Sequence, residues 1–172
     1  MRKGIVLGLS LSLSLFVSTV DASAQAAEPQ ALTIETENIT AQAGERPGVA
    51  PDASLPGDVI EYLLTFTNYQ DGPISDVVLN DPIPAGLVFV PGSVTASRAD
   101  LRIEYSIDAG ASWSESPEVE VEVAGATVRQ AAPAEAYTHV RWTVTGSVNP
   151  GAQVTARFRA RVAGAPNPGG DA

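Results

Sequence analysis

The sequence predicts an all-β protein, an antiparallel β-sandwich of about seven to eight strands. Short segments in which apolar and polar residues alternate follow one another along the chain, and this period of two is typical of a strand with one buried face. Gly, Pro, Asn and Asp between these segments mark turns. Beyond residue 24, no segment shows the 3.6-residue periodicity of an amphipathic helix.

The first half of the chain contains one long predicted strand and several short ones. Residues 32–37 form a first strand, and the loop-like segment 38–55 follows it. The strand over 56–68 opens on a Pro-Gly turn and places Ile60, Tyr62, Leu64 and Phe66 on one face. Further strands are expected over 75–80, 87–90 and 93–97, separated by a turn at 70–73 and a proline-punctuated crossing at 81–86.

The second half shows the clearest alternation. Strands are predicted over 101–107, 118–123, 137–144 and 154–162. Because each strand has a single apolar face, two sheets must face each other to bury them. We therefore expect an Ig-like β-sandwich. A closed barrel fits less well, because the Pro-rich crossings are easiest to place at sheet edges.

The N-terminal residues have the features of a secretory signal peptide. Arg2 and Lys3 provide a positive charge, an apolar and Ser-rich stretch covers 5–20, and small residues follow. An uncleaved membrane anchor is the alternative, but the stretch is short and interrupted by serines. The predicted organisation is a signal peptide over 1–24 with cleavage after Ala24 or Ala26, a linker over 25–30, one domain over 31–163 and a flexible tail over 164–172.

Composition restricts the location and the partners of the protein. The expected product is periplasmic, extracellular or on the surface of a bacterium, with no stable membrane insertion after the signal is removed. A formal net charge of −10 disfavours nucleic-acid binding. The absence of cysteine excludes disulfides, thiol catalysis and thiolate metal sites. Lys3 is the only lysine, so the mature chain cannot form the Lys–Asn isopeptide bond that locks many Ig-like pilin domains.

Several longer motifs support a resemblance to a known family. They are Pro-Gly-Asp-x-x-x-Tyr-x-Leu-x-x-x-Asn at 56–68, Asp-Pro-Ile-Pro-Ala-Gly-Leu-x-Phe-Val-x-Gly-Ser-Val at 81–94, Val-Arg-Trp at 140–142 and Pro-Gly at 150–151. In these the chain resembles the bacterial conserved-repeat domain of unknown function number eleven, which is related to repeats of the chlamydial large cysteine-rich outer-membrane protein.

The resemblance covers most of residues 55–162 and implies an Ig-like sandwich in an exported or surface protein, without catalytic residues. Such domains usually occur in tandem, whereas this sequence contains one copy. It also lacks the cysteines of the chlamydial relatives, so the resemblance does not imply disulfide cross-linking into an envelope network.

Residues 106–113 resemble an Asp-box hairpin, Ser-x-Asp-x-Gly-x-x-Trp. In such a turn we expect Asp108 to accept hydrogen bonds from backbone N–H groups, Gly110 to adopt a positive φ and Trp113 to pack over the hairpin. Asp boxes occur in sialidases and other carbohydrate-active propellers, which suggests a glycan as a possible partner. In those proteins the box is itself a structural turn, and that interpretation is favoured here.

Other candidate site residues are individually weak. Calcium ligands could come from Asp71, Asp76, Asp81 and Asp108, but Asp-x-Asp-x-Asp spacing is absent and no cofactor is predicted. His139 is the only histidine and no catalytic motif accompanies it, so we do not expect an enzyme. Structural roles are predicted for Gly57, Asp58, Pro82, Pro84, Gly86, Asp108, Gly110, Trp113 and Trp142.

Two rows of like charge remain. Arg157, Arg159 and Arg161 share one strand face, and Glu118, Glu120 and Glu122 share another. They could form a ladder with each other or an anion-binding patch, but two solvated faces are the favoured interpretation.

The function expected from the sequence is that of a non-catalytic structural or protein-interaction protein. Its contacts would come from the segments 38–55 and 125–135 or from an exposed strand edge. The alternative is a carbohydrate- or calcium-dependent adhesive module.

Overall fold

A computed structural model of the chain describes residues 31–42, 50 and 53–164. The described residues form an antiparallel all-β sandwich, which confirms the predicted fold class. The expected signal peptide over 1–24, the linker over 25–30 and the tail beyond residue 164 lie outside the described residues. Within the described ranges, no helix combines the length and the apolar character needed to cross a bilayer.

The described residues contain ten strands, a short helix α1 and one 3₁₀ turn. The strands are β1 Leu32–Asn38, β2 Val59–Thr67, β3 Val78–Pro82, β4 Leu87–Phe89, β5 Thr95–Ala96, β6 Leu101–Ser106, β7 Glu118–Val123, β8 Ala126–Ala131, β9 His139–Val144 and β10 Gln153–Val162. Helix α1 covers Ile39–Gln42, and the 3₁₀ turn covers Ala134–Ala136.

The strands form two facing sheets and a separate hairpin. The first sheet has the order β1-β2-β10-β4, and β5 also pairs with β10. The second sheet has the order β3-β9-β6, and β7 pairs only with β8. Three predicted elements differ from this arrangement. The loop-like segment 38–55 contains helix α1, and the segment 125–135, for which no strand is predicted, contains β8. Strand β3 extends through Asp81 and Pro82, which the sequence places in the crossing.

The core lies between the two sheets. Tyr62 of β2 stacks on Phe158 of β10 with 4.6 Å between ring centroids, and Phe158 also contacts Trp142 of β9 at 6.2 Å. Leu64, Phe158 and Trp142 are fully buried. Burying a large apolar side chain stabilises the fold by about 1.5–3 kcal/mol, so each of these three side chains contributes substantially to stability.

Candidate functional site

Strand β1 has an apolar face that the second sheet does not cover. Ile34 pairs with Leu64, and residues directly opposite each other in a sheet point to the same side. Leu64 is completely buried, whereas Ile34 is 48% exposed and Leu32 is 37% exposed. The first sheet contains five strands and the second contains three, and the edge strand β1 contributes no residue to the buried core cluster.

The position of β3 explains the exposed face of β1. Tyr62 of β2 shares the buried core cluster with Leu79 of β3, whereas no residue of β1 belongs to that cluster. A cleft opens beside β1, with Thr36, Ile60 and Tyr62 among its lining residues.

Strand β1 also has a free edge. Thr67 N donates to Ala31 O at 2.8 Å, so Ala31 and every second residue after it bond to β2. The N–H and C=O groups of Leu32, Ile34 and Thr36 therefore point away from β2, and no described strand pairs with them. The edge contains no proline, so a further strand could add to it.

The two edges of the second sheet, β3 and β6, are partly protected. Ile83 N donates to Thr138 O and Val144 N donates to Val77 O, so the odd-numbered residues of β3 bond to β9. Pro82 then lies at an outward position, where its missing N–H blocks strand addition. On β6, Tyr105 forms a bridge with Ser114, which occupies part of that edge.

Asp58 anchors the end of β1 to the turn that precedes β2. One of its carboxylate oxygens accepts hydrogen bonds from Asn38 Nδ2 and from Leu55 N, both at 2.8 Å. Gly57, immediately before it, has φ of 91°. Thr40 Oγ1 accepts from Val59 N at 2.9 Å. Both ends of the predicted contact segment 38–55 are therefore tied to the fold, and its residues 43–49 and 51–52 lie outside the described ones.

Asp108 makes the contacts expected from the Asp-box pattern. Its Oδ1 accepts from Ser106 Oγ at 2.7 Å and from Ser112 N at 2.8 Å, and its Oδ2 accepts from Ser112 Oγ. These hydrogen bonds lower the pKa of Asp108 to about 2. Gly110 has φ of 86° and lies against the Trp113 ring. The carboxylate is thus engaged within its own turn.

The faces of Trp113 and His139 are occupied by neighbours on the outer side of the second sheet. Arg141 lies 4.1 Å from the centroid of the Trp113 ring, a cation–π contact. Arg141 Nη2 also donates to Glu104 at 2.8 Å. His139 meets Trp113 edge to face, and its Nδ1 lies 3.1 Å from Thr138 Oγ1. These are the contacts of packed residues rather than of an open stacking platform.

The predicted calcium candidates occupy unlike environments. Asp71 and Asp76 are exposed, Asp81 is buried, and Asp108 lies in the Asp box. Within the described residues, no group of three or more acidic or histidine side chains is placed to hold a metal ion. Burial raises the pKa of Asp81 to about 6, and its Oδ2 has no described hydrogen-bond partner.

The two predicted charge rows do not face each other. Arg157 and Arg159 instead contact Glu61 of β2, with Arg159 Nε 2.9 Å from Glu61 Oε2. Glu120 pairs with Arg129 of β8 at 3.3 Å. The alternative of a ladder between the rows is therefore wrong, because β7 belongs to the separate hairpin and is not a neighbour of β10. All six residues of the two rows are exposed, as the favoured interpretation of two solvated faces predicts.

The β7–β8 hairpin is a second exposed surface. Ala124 and Gly125 at its tip have φ of 52° and 83°, the values of a two-residue turn of type I′. Every residue of β8 is exposed, and Val123 and Val128 are exposed apolar residues. Because neither face of β8 is buried, its sequence shows no alternation that would have identified it as a strand.

Asn68 is a structural residue that ends the motif at 56–68 and for which the sequence predicts no role. It is fully buried, and its Nδ2 donates to Gly72 O at 2.9 Å and Val148 O at 2.8 Å. Its Oδ1 accepts from Gln70 N. The sequence feature that could have identified this role is the position of Asn68 at the end of the long strand motif, directly before a predicted turn.

The remaining predicted structural residues lie in a turn and in the core. Leu87 N donates to Pro84 O at 3.1 Å, and Gly86 in this turn has φ of 86°. Trp142 is fully buried in β9.

Comparison of the chain with protein-family models gives no match, and comparison with curated proteins gives none either. The resemblance to the conserved-repeat domain number eleven therefore stays a prediction.

Proposed function

We propose that this chain is an exported, non-catalytic Ig-like module that acts as a structural or protein-interaction protein in the periplasm or at the surface of a bacterium. The observation that carries the proposal is β1, which combines a free edge with an exposed apolar face. Strand addition uses both features, since backbone hydrogen bonds provide affinity and side-chain contacts provide specificity.

The anchoring of β1 also supports this role. Asp58 fixes the strand at Asn38, and the full length of β1 pairs with β2. An incoming strand would therefore meet an edge whose conformation is already set, which reduces the entropy that binding must overcome. Export is proposed from the basic and apolar residues at the N-terminus.

The alternative of a carbohydrate- or calcium-dependent adhesive module has less support. Its main sequence feature was the Asp box, and Asp108 uses both carboxylate oxygens on Ser106 and Ser112. Trp113, the aromatic residue that could stack on a sugar, already contacts Arg141 and His139.

Site-specific photocrosslinking in the native host tests the proposal. A photoreactive amino acid at Ile34 should give discrete crosslinked products, because this side chain would lie in the contact. Val78 of β3 is the matched control, since it is 51% exposed beside 48% for Ile34 but lies on the outer face of the Pro82 edge. The proposal would be contradicted if Ile34 and Val78 gave the same crosslinked products in equal amounts, or if Ile34 gave none.

A further inference from the structure

We infer that the strand added to β1 is the β1 strand of a second copy of this chain, antiparallel to the first and related to it by a twofold axis at Ile34. The inference rests on the proposed function and names the partner. It joins the first sheets of two copies into one continuous sheet, with the same surface contributed by each.

The alternation of hydrogen bonds limits how two β1 strands can pair. Only residues whose N–H and C=O groups point outward, which are the even-numbered residues of β1, can bond to the second copy. Two antiparallel registers then use nearly the whole strand. One places Ile34 opposite Ile34, and the other places Ile34 opposite Thr36.

Charge on the outer face distinguishes these registers. Thr33, Glu35 and Glu37 alternate with the outward-bonding residues and share that face. With Ile34 opposite Thr36, Glu35 would lie directly opposite Glu35 of the second copy, and like charges in this position destabilise a sheet. With Ile34 opposite Ile34, Glu35 meets Thr33 and Glu37 meets Ala31. Of these two registers, only the one with Ile34 opposite Ile34 therefore lets two β1 strands pair without placing like charges directly opposite each other.

The same register brings apolar residues together. Ile34 of one copy lies beside Ile34 of the other, and Leu32 lies beside Thr36, all on the face that the second sheet leaves uncovered. The pairing forms about six backbone hydrogen bonds. The protected Pro82 edge of β3 offers no such pairing. The β7–β8 hairpin also has free edges. Two copies could therefore associate through the hairpin instead of through β1, and the experiments below distinguish these two possibilities.

Substitution at Thr33 tests the register. This exposed residue would lie at a position where opposite side chains approach closely, facing Glu35 of the second copy twice in each dimer. Dimer dissociation constants are measured by sedimentation equilibrium on protein purified after expression of the full chain. Relative to the neutral control Thr33→Gln, we expect Thr33→Lys to tighten the dimer and Thr33→Glu to weaken it, each by about two- to thirty-fold.

Two further variants identify the surface. Ile34→Lys places a charge on the dimer axis and should abolish association, whereas Val123→Lys on the hairpin should leave it unchanged. Circular dichroism and thermal melting confirm that each variant is folded. Loss of association in Val123→Lys but not in Ile34→Lys would overturn the inference, as would equal dissociation constants for all three Thr33 variants.

A protein that is monomeric at millimolar concentration would also overturn the inference. Photocrosslinking at Ile34 to a different protein in the host would then leave the proposed function standing. If the protein is monomeric and photocrosslinking at Ile34 gives no product, both the interaction role of β1 and the β1–β1 dimer are rejected.

Discussion

Asp81 shows how a single residue can work against the stability of the fold. It lies on the buried face of β3, and burial raises its pKa from 3.8 to about 6. An acid with a higher pKa in the folded state binds its proton more tightly when folded. Its contribution to the free energy of unfolding is therefore fully present below pH 3.8 and is lost as the pH rises through about 6.

Asp81→Asn should therefore stabilise the protein at pH 7.5 and change little at pH 3.5. The pKa difference corresponds to at most about 3 kcal/mol, and we expect about 1–3 kcal/mol. Urea unfolding at both pH values measures the effect, and Asp71→Asn in an exposed turn is the matched control. A destabilised Asp81→Asn variant at pH 7.5 would show that the charged carboxylate has a stabilising partner.

Asn68 has the opposite role, since its buried side chain bonds to backbone groups of Gly72, Val148 and Gln70. Asn68→Ala removes the donors to Gly72 O and Val148 O and leaves these carbonyls without that partner. We expect a loss of about 2–4 kcal/mol in the free energy of unfolding. The neighbouring Tyr69 is 56% exposed, so Tyr69→Ala should change stability by less than about 0.5 kcal/mol. Equal effects of the two substitutions in urea unfolding would contradict this role.

At the scale of elements, the sequence predicts those strands that bury one face. The alternation in β2, β6, β9 and β10 follows from burial against the opposite sheet. This alternation is absent from β8, whose two faces are both exposed, so the sequence identifies β7 but not the strand that pairs with it. The alternative of a ladder between the charge rows fails for the same reason, since residue patterns specify the face of a strand but not its neighbour.

The hairpin should be removable as an element. All residues of β8 are exposed, and β7 pairs with no other described strand. Replacing residues 118–131 with two glycines should therefore keep the fold and leave the midpoint of thermal unfolding close to that of the unaltered chain. Thermal melting and circular dichroism measure this. A variant that fails to fold would mean that the hairpin supports the sandwich.

At the scale of the whole molecule, the important feature is the unequal width of the two sheets. The sequence correctly predicts two facing sheets, because each strand has one apolar face. It did not predict that β1 would extend beyond the second sheet. Leu32 and Ile34 have the pattern of core residues, and only the strand order shows that they are exposed. The sequence therefore predicts an exposed strand edge as a contact surface, but it does not show that this edge belongs to β1.

Residue-resolved amide hydrogen exchange by NMR tests the central claim most directly. The amides of Thr33, Glu35 and Glu37 bond to β2, so they should exchange slowly at every protein concentration. The amides of Leu32, Ile34 and Thr36 should exchange quickly in dilute samples and become protected in concentrated ones, as a second β1 strand adds to the edge. Rapid exchange of these three amides at both concentrations would contradict the account.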